Sequence, residues 1–245
     1  RGRSVVLIEH GPLGGTCLNI GCVPSKNLLA AAGRRHRAEI NPFPAVPTGA
    51  DWVDLAALIE QKQELVDRLR QRKYADVADA HGFPIRYGHA RFFDERTLEV
   101  DGQPLVASAY VVATGAGPHI PDVPGLAGVN YLTSTTAMEL TRLPESLIVL
   151  GAGYVGLEQA QLFAHLGVRV TVVGRFAPHT EPEIAAVLRG VFADDGITVV
   201  QERGMAVAGA ADGVVVTTSG GQEVAGQRLL VATGRYADTG DLGLD

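Results

Sequence analysis

The sequence GGTCLNIGCVPSK, residues 14–26, holds both cysteines of the 245-residue chain, Cys17 and Cys22. It follows a short aliphatic run, residues 5–8, which predicts a buried β-strand ending at the acidic residue Glu9. The two adjacent glycines at its start allow the backbone to come close to a ligand. Two cysteines directly after a strand of the nucleotide-binding type predict a redox dithiol that exchanges electrons with a bound cofactor.

The pair of cysteines allows three interpretations. The first is that both cysteines are structural residues. The second is that they bind a metal ion, although only two soft ligands are present and no nearby histidine completes a tetrahedral set. The redox interpretation agrees best with the sequence, because a thiolate near the start of a helix has its pKa lowered by the local field. The helical pattern that begins at Gly15 is expected to be interrupted at Pro24.

The composition excludes several classes of protein. Hydrophobic residues make up 46% and charged residues 20% of the chain, as in ordinary globular proteins. The net charge of −6 predicts no general attraction to nucleic acid, and no apolar run approaches the ~20 residues that cross a membrane. Two cysteines in a chain of this length do not form a secreted disulfide framework, so we expect a reducing, cytoplasmic compartment.

Both ends of the sequence are typical of positions inside a longer chain. It begins with Arg1 instead of Met, and no glycine-rich turn precedes the first strand, although such a turn normally opens a dinucleotide-binding fold. It ends within a continuing pattern at residues 242–245. We therefore expect a fragment that is truncated at both ends.

A second glycine-rich motif begins the other half of the chain. Gly151, Gly153 and Gly156 form a G-x-G-x-x-G pattern after a predicted strand at 147–150, and a predicted helix follows to about Leu166. The free N–H groups at the start of that helix would bind a pyrophosphate. The alternative is a glycine-rich strand–helix turn that binds no ligand.

Two similar halves indicate two domains. A long helix is predicted at residues 51–80 and a β-meander at 83–112, whose last strand, 110–112, runs into an Ala-Thr-Gly triplet. The same triplet recurs at 232–234 after another predicted strand. This internal repeat predicts an α/β fold with two dinucleotide-binding, Rossmann-like domains, the first carrying the meander as an insert.

The boundary between these domains is expected in the segment rich in proline and glycine at 117–128. We assign residues 1–117 to a partial first domain that carries the cysteine pair. Residues 118–240 form the second domain.

Arg175 bears on the choice of nicotinamide cofactor. The strand predicted at 169–173 is followed by Gly174 and Arg175, where an acidic residue would bind the ribose 2′-hydroxyl of NAD. A guanidinium binds a 2′-phosphate as a charge-assisted pair. The sequence therefore favours NADPH over NADH; the alternative is that Arg175 is a solvated loop residue.

Lys26 and Glu158 are candidates for an ion pair. Lys26 precedes two leucines, and a lysine buried there would need an anionic partner. Glu158 lies just after the second glycine motif, on a helix whose neighbouring residues are apolar. The alternative is that the two are separate surface charges.

The residues quoted above resemble the pyridine nucleotide–disulfide oxidoreductases. The resemblance rests on GGTCLNIGCVPSK, on both Ala-Thr-Gly triplets and on GAGYVGLE, and it covers nearly the whole chain. It implies that the first domain binds FAD and the second NAD(P)H. It also implies a homodimer formed through a C-terminal domain that this sequence lacks.

The resemblance implies a role for individual residues. Cys22 would lie against the flavin as the charge-transfer thiolate, and Cys17 would be the interchange thiol that faces the substrate. Lys26, paired with Glu158, would sit near the flavin, and Tyr154 would gate the nicotinamide pocket. Residues expected to contact one of the two cofactors are Glu9, Gly14, Gly15, Thr16, Lys26, Ala90, Ala113, Thr114, Gly115, Gly151, Gly153, Tyr154, Gly156, Arg175 and Gly234.

Within the family, residues 61–75, 88–92 and 133–146 resemble mercuric reductases. Thiolates are soft ligands, so the cysteine pair would bind Hg(II) transiently as substrate and its reduction would give elemental mercury. The alternatives are dihydrolipoamide dehydrogenase or another NAD(P)H-dependent disulfide reductase. A non-enzymatic alternative is a nucleotide-binding, redox-sensing module.

Overall fold

The structure is a computed structural model that describes residues 2–43 and 45–244. Arg1, the first residue of the predicted first domain, and Asp245 lie outside the described residues. The chain divides into two compact units, one of Arg1–Val23, Gln63–Gly117 and Tyr236–Asp245, the other of Pro24–Lys62 and Pro118–Arg235. The assignment of 1–117 and 118–240 to two different cofactors stays a prediction.

The first unit contains two small sheets. Strands β1 (Leu7–Glu9) and β2 (Ile85–Tyr87) pair in parallel, with Glu9 opposite Tyr87. Strands β3 (Ala90–Phe92), β4 (Thr97–Val100) and β5 (Gln103–Val106) form an antiparallel meander. This is the meander that the sequence predicts, although its strands are shorter and its last member is β5.

The strand predicted at 110–112 is wrong. Residues 110–112 are extended but unpaired, and Val111 is 92% exposed. A strand needs a neighbour for its backbone N–H and C=O groups. The described part of the chain supplies none at this position.

The helices of the N-terminal half begin and end at recognisable signals. They are α1 (Gly15–Asn19), α2 (Cys22–Glu39), α3 (Leu55–Arg70), a π-helical turn (Gln71–Ala75) and α4 (Asp76–His81). The carboxylate of Asp54 accepts a hydrogen bond from the N–H of Ala57 at 3.1 Å and so caps the start of α3. Gly82, in the left-handed conformation, ends α4. The long helix predicted at 51–80 is therefore present, with a π-helical turn inside it.

Pro24 does not interrupt the helical pattern as the sequence suggested. It is the third residue of α2. The N–H groups of the first helical turn have no partner within a helix, so proline is tolerated there.

The second unit is built on a five-stranded parallel sheet. In spatial order its strands are β10 (Thr198–Val200), β9 (Arg169–Val173), β8 (Ser146–Leu150), β14 (Arg228–Val231) and β7 (Tyr131–Thr133). All neighbouring pairs are parallel. This confirms the predicted α/β class.

Alternate residues of the central strand β8 belong to two different cores. Leu147 and Val149 belong to the larger cluster, together with apolar residues of α2 and α6 (Tyr154–His165). Ile148 and Leu150 pack with the antiparallel strands β11 (Gly204–Ala210), β12 (Gly213–Thr218) and β13 (Glu223–Gly226). Because both faces of the sheet are covered, its central strand is apolar and buried from Leu147 to Leu150.

The remaining elements are short, apart from helix α7. These are α5 (Ser134–Ala137), α7 (Pro182–Asp194), the 3₁₀ turns Leu126–Gly128 and Gly240–Leu242, and the paired strands β6 (Ala116–Pro118) and β15 (Arg235–Ala237). Among the described residues, no helix is long and apolar enough to cross a membrane.

Candidate functional site: a dithiol loop and a glycine turn

The two cysteines lie in consecutive helices. Cys17 is the third residue of α1 and Cys22 is the first residue of α2; both are exposed to solvent, and they are not joined by a disulfide bond. A hydrogen bond with Cys22 raises the pKa of the Cys17 thiol above its ordinary value of 9.0, and desolvation and electrostatic repulsion from Cys22 act in the same direction. The two sulfur atoms are therefore hydrogen-bonded neighbours, which is the arrangement that a dithiol–disulfide couple needs.

Glycines on both sides of Cys17 let the loop close tightly. Gly14 has φ of 112°, and a Cβ there would lie 2.5 Å from Cδ2 of Leu18. A Cβ at Gly21 would lie 3.0 Å from the carbonyl oxygen of Thr16 and 3.2 Å from the Cα of Cys17. A side chain at Gly14 would be strained by the positive φ and one at Gly21 would press on the backbone of Thr16 and Cys17, so Gly21 is a structural position of the loop that the sequence reasoning missed.

Asn19 is a second residue that the sequence reasoning missed. Its Nδ2 donates hydrogen bonds to the carbonyl oxygens of Pro12, Leu13 and Gly15, at 2.9, 3.2 and 3.0 Å. Its Oδ1 accepts hydrogen bonds from Nε and Nη2 of Arg70, at 3.1 and 2.7 Å. One amide thus connects the turn before Cys17 to helix α3, and the signal in the sequence is an asparagine at the end of a short helix.

Two of the segments predicted to contact FAD meet in the first unit. Gly115 has φ of 84°, and a Cβ there would lie 2.8 Å from Oγ1 of Thr16. Ala113 and Thr114 precede it in the same exposed stretch. The missing side chain at Gly115 therefore leaves bare backbone beside the dithiol loop, and this surface fits a flat ring or a phosphate.

Glu9 and Ala90 occupy strand positions in the first unit. Glu9 ends β1, and its Oε1 accepts hydrogen bonds from the N–H groups of His10 and Gly11, both at 3.0 Å. Ala90 begins β3, opposite Val100. Gly15 lies in the first turn of α1 beside open space. Contacts of these residues with FAD stay predictions.

Lys26 and Glu158 are brought together. Nζ of Lys26 donates to Oε2 of Glu158, and the two side chains are 63% and 29% exposed. Lys26 is the fifth residue of α2, and Glu158 belongs to α6. The pairing that the sequence suggested is therefore present, while a position near the flavin stays a prediction.

The glycine motif of the second unit forms the predicted turn from β8 into α6. A Cβ at Gly151 would lie 2.4 Å from the carbonyl oxygen of Ala232, and one at Gly156 would lie 2.0 Å from that of Gly151. A Cβ at Gly153 would have no atom within 4 Å. The first and third glycines therefore serve packing, whereas the second leaves space at the helix N-terminus where a pyrophosphate fits.

The loop after β9 is anchored to the same turn. Gly174 has φ of 150°, and a Cβ there would lie 3.0 Å from the backbone nitrogen of Ala152. The N–H of Ala177 donates to the carbonyl oxygen of Ala152 at 2.9 Å. Arg175 lies between these anchors; it is exposed and forms no ion pair within the described part of the chain. Its guanidinium is therefore available to an anion.

Tyr154 and Gly234 also belong to this region of the second unit. Tyr154, the first residue of α6, is exposed, and its hydroxyl donates to the carbonyl oxygen of His179 at 3.0 Å. Gly234 follows β14, and its carbonyl oxygen accepts a hydrogen bond from the N–H of His119 at 2.9 Å. Their roles toward a nicotinamide cofactor stay predictions.

A parallel sheet with a strand–glycine turn–helix unit, in a chain with two neighbouring thiols, defines a nucleotide-binding redox protein. The chain belongs to the pyridine nucleotide-disulphide oxidoreductase family, whose pattern matches residues 1–244. This confirms the resemblance drawn from the cysteine motif. Membership of this family implies FAD and NAD(P)H as cofactors.

Several curated relatives are mercuric reductases. The chain is 48% identical to the mercuric reductase of Streptomyces lividans over 257 aligned residues, which cover 100% of this chain and 54% of the relative. It is 44% identical to that of Lysinibacillus sphaericus, covering 99% of this chain and 46% of the relative. The chain thus spans about half the length of the curated relatives it matches.

Two solved structures share the fold of this chain. The HOCl-induced flavoprotein disulfide reductase RclA from Escherichia coli matches with a TM-score of 0.84 and 29% identity, covering 98% of this chain and 53% of that protein. LpdA from Mycobacterium tuberculosis matches with a TM-score of 0.82 and 29% identity, covering 98% of this chain and 55% of that protein.

Proposed function

We propose that the protein to which this chain belongs is an NADPH-dependent mercuric reductase that reduces Hg(II) to Hg(0) and so serves mercuric resistance. The observation that carries the proposal is the hydrogen-bonded pair Cys17 and Cys22, since two adjacent thiols suit a soft ion that prefers two sulfur ligands. The relatives at 44–48% identity that bear this name support it.

The two thiols have different parts in this proposal. Cys17 has the raised pKa, so it holds its proton to higher pH and must release it when Hg(II) binds. We assign Cys17 to the substrate and Cys22 to the flavin, as the family resemblance implies. When bound, NADPH would supply the two electrons that convert Hg(II) to Hg(0) and FAD would pass them to the dithiol, with NADP⁺ and a proton as the other products.

The remaining residues have positioning and binding roles. Lys26, held by Glu158, supplies a positive charge one helical turn beyond Cys22 in α2. The N-terminus of α6 at Gly153 would bind the pyrophosphate of NADPH and Arg175 its 2′-phosphate. We further propose a homodimer in the full-length protein, and a cytoplasmic location, where reducing conditions keep the dithiol able to cycle.

The proposal is tested with NADPH oxidation by the full-length protein that contains this chain. Hg(II), presented as its complex with a small thiol, is compared with oxidised lipoamide. We expect Hg(II) to stimulate oxidation and release mercury vapour, and Cys17→Ser to reduce the rate to background. Stimulation by lipoamide alone contradicts the mercury assignment.

That last outcome would support a second candidate, a disulfide reductase. It is favoured by the structural neighbour described as a flavoprotein disulfide reductase. If the protein binds nucleotide but neither Hg(II) nor lipoamide stimulates its oxidation of NADPH, it would instead be a redox-sensing module.

The preference for NADPH is tested separately with Arg175→Gln. Losing one charge-assisted contact to the 2′-phosphate is worth about 1.5 kcal/mol, so the ratio of kcat/KM for NADPH over NADH should fall about tenfold. The matched control is Arg142→Gln, since Arg142 is an exposed arginine outside the glycine turn. An unchanged ratio means that Arg175 does not select the cofactor.

A further inference from the structure

Three side chains from three helices meet in the second unit, in residues that the proposed function does not use. His36 belongs to α2, His165 is the last residue of α6, and Asp195 follows the end of α7. Nε2 of His36 lies 3.1 Å from Oδ1 of Asp195, and Nε2 of His165 lies 3.1 Å from Oδ2. One ligand atom from each residue lies within 4.8 Å of the other two.

The cluster is largely withdrawn from solvent. The side chains of His36, His165 and Asp195 are 18%, 13% and 10% exposed. Nε2 of His165 is buried and has no hydrogen-bond partner, although the carboxylate oxygen is only 3.1 Å away. Two atoms that bind the same ion lie close together without a hydrogen bond between them, because their lone pairs point at the ion instead of at one another.

The spacing of the ligand atoms fits a small metal ion. Around a tetrahedral Zn(II) with bonds of about 2.0–2.1 Å, neighbouring ligand atoms are about 3.3 Å apart. Both contacts to the Asp195 carboxylate are close to that value. The imidazole rings are stacked, with centroids 3.8 Å apart and 12° between their planes, so they must tilt toward each other to bind one ion.

The surroundings hold the carboxylate in place. Nε2 of Gln161, one turn before His165 on α6, donates to Oδ2 of Asp195 at 2.8 Å. Such contacts orient metal ligands in known sites. Nη1 of Arg35 donates to the carbonyl oxygen of His165 at 3.1 Å and also pairs with the carboxylate of Glu39, which offsets the charge of Arg35.

We propose that His36, His165 and Asp195 bind one divalent transition-metal ion of the borderline class, with Zn(II) as the type and water completing the coordination. Two imidazole nitrogens and one carboxylate oxygen suit such an ion better than Hg(II), which prefers thiolates, or Mg(II), which prefers oxygen ligands alone. The ion would fasten α2 to α6 and α7 within the second unit.

The first test uses Co(II), whose spectrum reports its ligands, on purified protein whose cysteines are alkylated with iodoacetamide. We expect one equivalent of Co(II) to give visible ligand-field bands without thiolate charge-transfer absorption, and Zn(II) to displace it. His36→Gln and Asp195→Asn should each weaken binding at least tenfold, and His81→Gln, an exposed histidine elsewhere, should leave it unchanged. No visible bands in the alkylated wild-type protein overturn the proposal.

A second measurement needs no variant and so does not depend on folding. Zn(II) should protect His36 and His165, but not His81, from modification by diethyl pyrocarbonate, as read by peptide mass spectrometry. Equal modification of all three histidines with and without Zn(II) contradicts the site.

Discussion

The dithiol loop and the glycine turn both depend on glycine, but for different reasons. In the glycine turn, Gly151 and Gly156 are required because backbone packs against backbone, at the carbonyl oxygens of Ala232 and Gly151. In the dithiol loop, Gly14 avoids the side chain of Leu18, and the loop is further held by side chains. The glycine turn is held by backbone contacts, one of them with the distant Ala232, whereas the dithiol loop also depends on the side chain of the distant Arg70.

This difference separates what a local motif can specify from what tertiary structure must supply. The spacing of Gly151, Gly153 and Gly156 can be recognised in a few adjacent residues, although the fit of Gly151 also depends on the carbonyl oxygen of Ala232. The loop around Cys17 is complete only when Asn19 contacts α3, which lies more than thirty residues further along the chain. Substitutions in the two regions should therefore have effects of different kinds.

The largest effect is expected from the matched pair Gly156→Ala and Gly153→Ala. At Gly156 the new Cβ would lie 2.0 Å from a carbonyl oxygen, and relieving such a clash should cost about 3 kcal/mol in the free energy of unfolding. At Gly153 the Cβ has open space, so stability should change by less than about 0.5 kcal/mol while NADPH binds more weakly.

Urea unfolding gives the stabilities and fluorescence titration with NADPH gives the affinities. If both variants lose the same stability, the assignment of packing to Gly156 and of ligand space to Gly153 is wrong.

A smaller effect is expected from Asn19→Ala. It removes an amide that makes five hydrogen bonds, three as donor and two as acceptor, and should cost about 1.5 kcal/mol because the site is partly exposed. It should also change the alkylation rate of Cys17, which a loss of stability alone does not do. Arg70→Ala should reproduce part of the loss of stability and part of the change in alkylation rate. Asn130→Ala, a control at an exposed asparagine, should produce neither change. An unaltered alkylation rate would show that Asn19 does not position the loop.

The smallest effect is a pKa shift confined to the loop. In the folded protein the pKa of Cys17 is raised mainly by its hydrogen bond with Cys22. Cys22→Ala removes that partner, so the pKa of Cys17 should fall toward 9.0 and its alkylation should begin at lower pH. The pH profile of iodoacetamide modification measures this, and an unshifted midpoint would mean that Cys22 is not the cause.

The raised pKa of Cys17 also determines whether the stability of the fold rises or falls with pH. An acid whose pKa is higher in the folded state stabilises the fold while it is protonated. This contribution is present below the unfolded pKa near 9.0 and is lost as the pH rises through the folded value. Wild-type protein should therefore lose stability above pH 9 more steeply than Cys22→Ala.

The sequence was most informative where regular periodicity and a backbone motif coincide. The strand at 169–173 was predicted with its exact bounds, and the helix predicted to Leu166 ends at His165. Local sequence is enough to predict an apolar strand that has a core on each side, and it is enough to predict a glycine turn. The cysteine motif likewise led to the family.

Several features that depend on contacts in the folded chain were not predicted, although the pair of Lys26 and Glu158 was. The strand expected at 110–112 has suitable residues, but a strand forms only beside another strand, and the described residues supply none. The roles of Asn19 and Gly21 depend on contacts with Arg70 and with the backbone at Thr16. The cluster of His36, His165 and Asp195 joins three helices whose spacing in sequence gives no hint of their meeting.

The anchoring of the loop after β9 has a consequence for how cofactor preference can change. Gly174 and Ala177 are fixed by contacts with Ala152, and Phe176 is buried edge-on against Phe192. Arg175 alone among residues 174–177 is exposed. Under the role proposed for Arg175, selectivity would rest on one replaceable side chain in an anchored loop, so exchanging one nicotinamide cofactor for the other would not require the fold to be rebuilt.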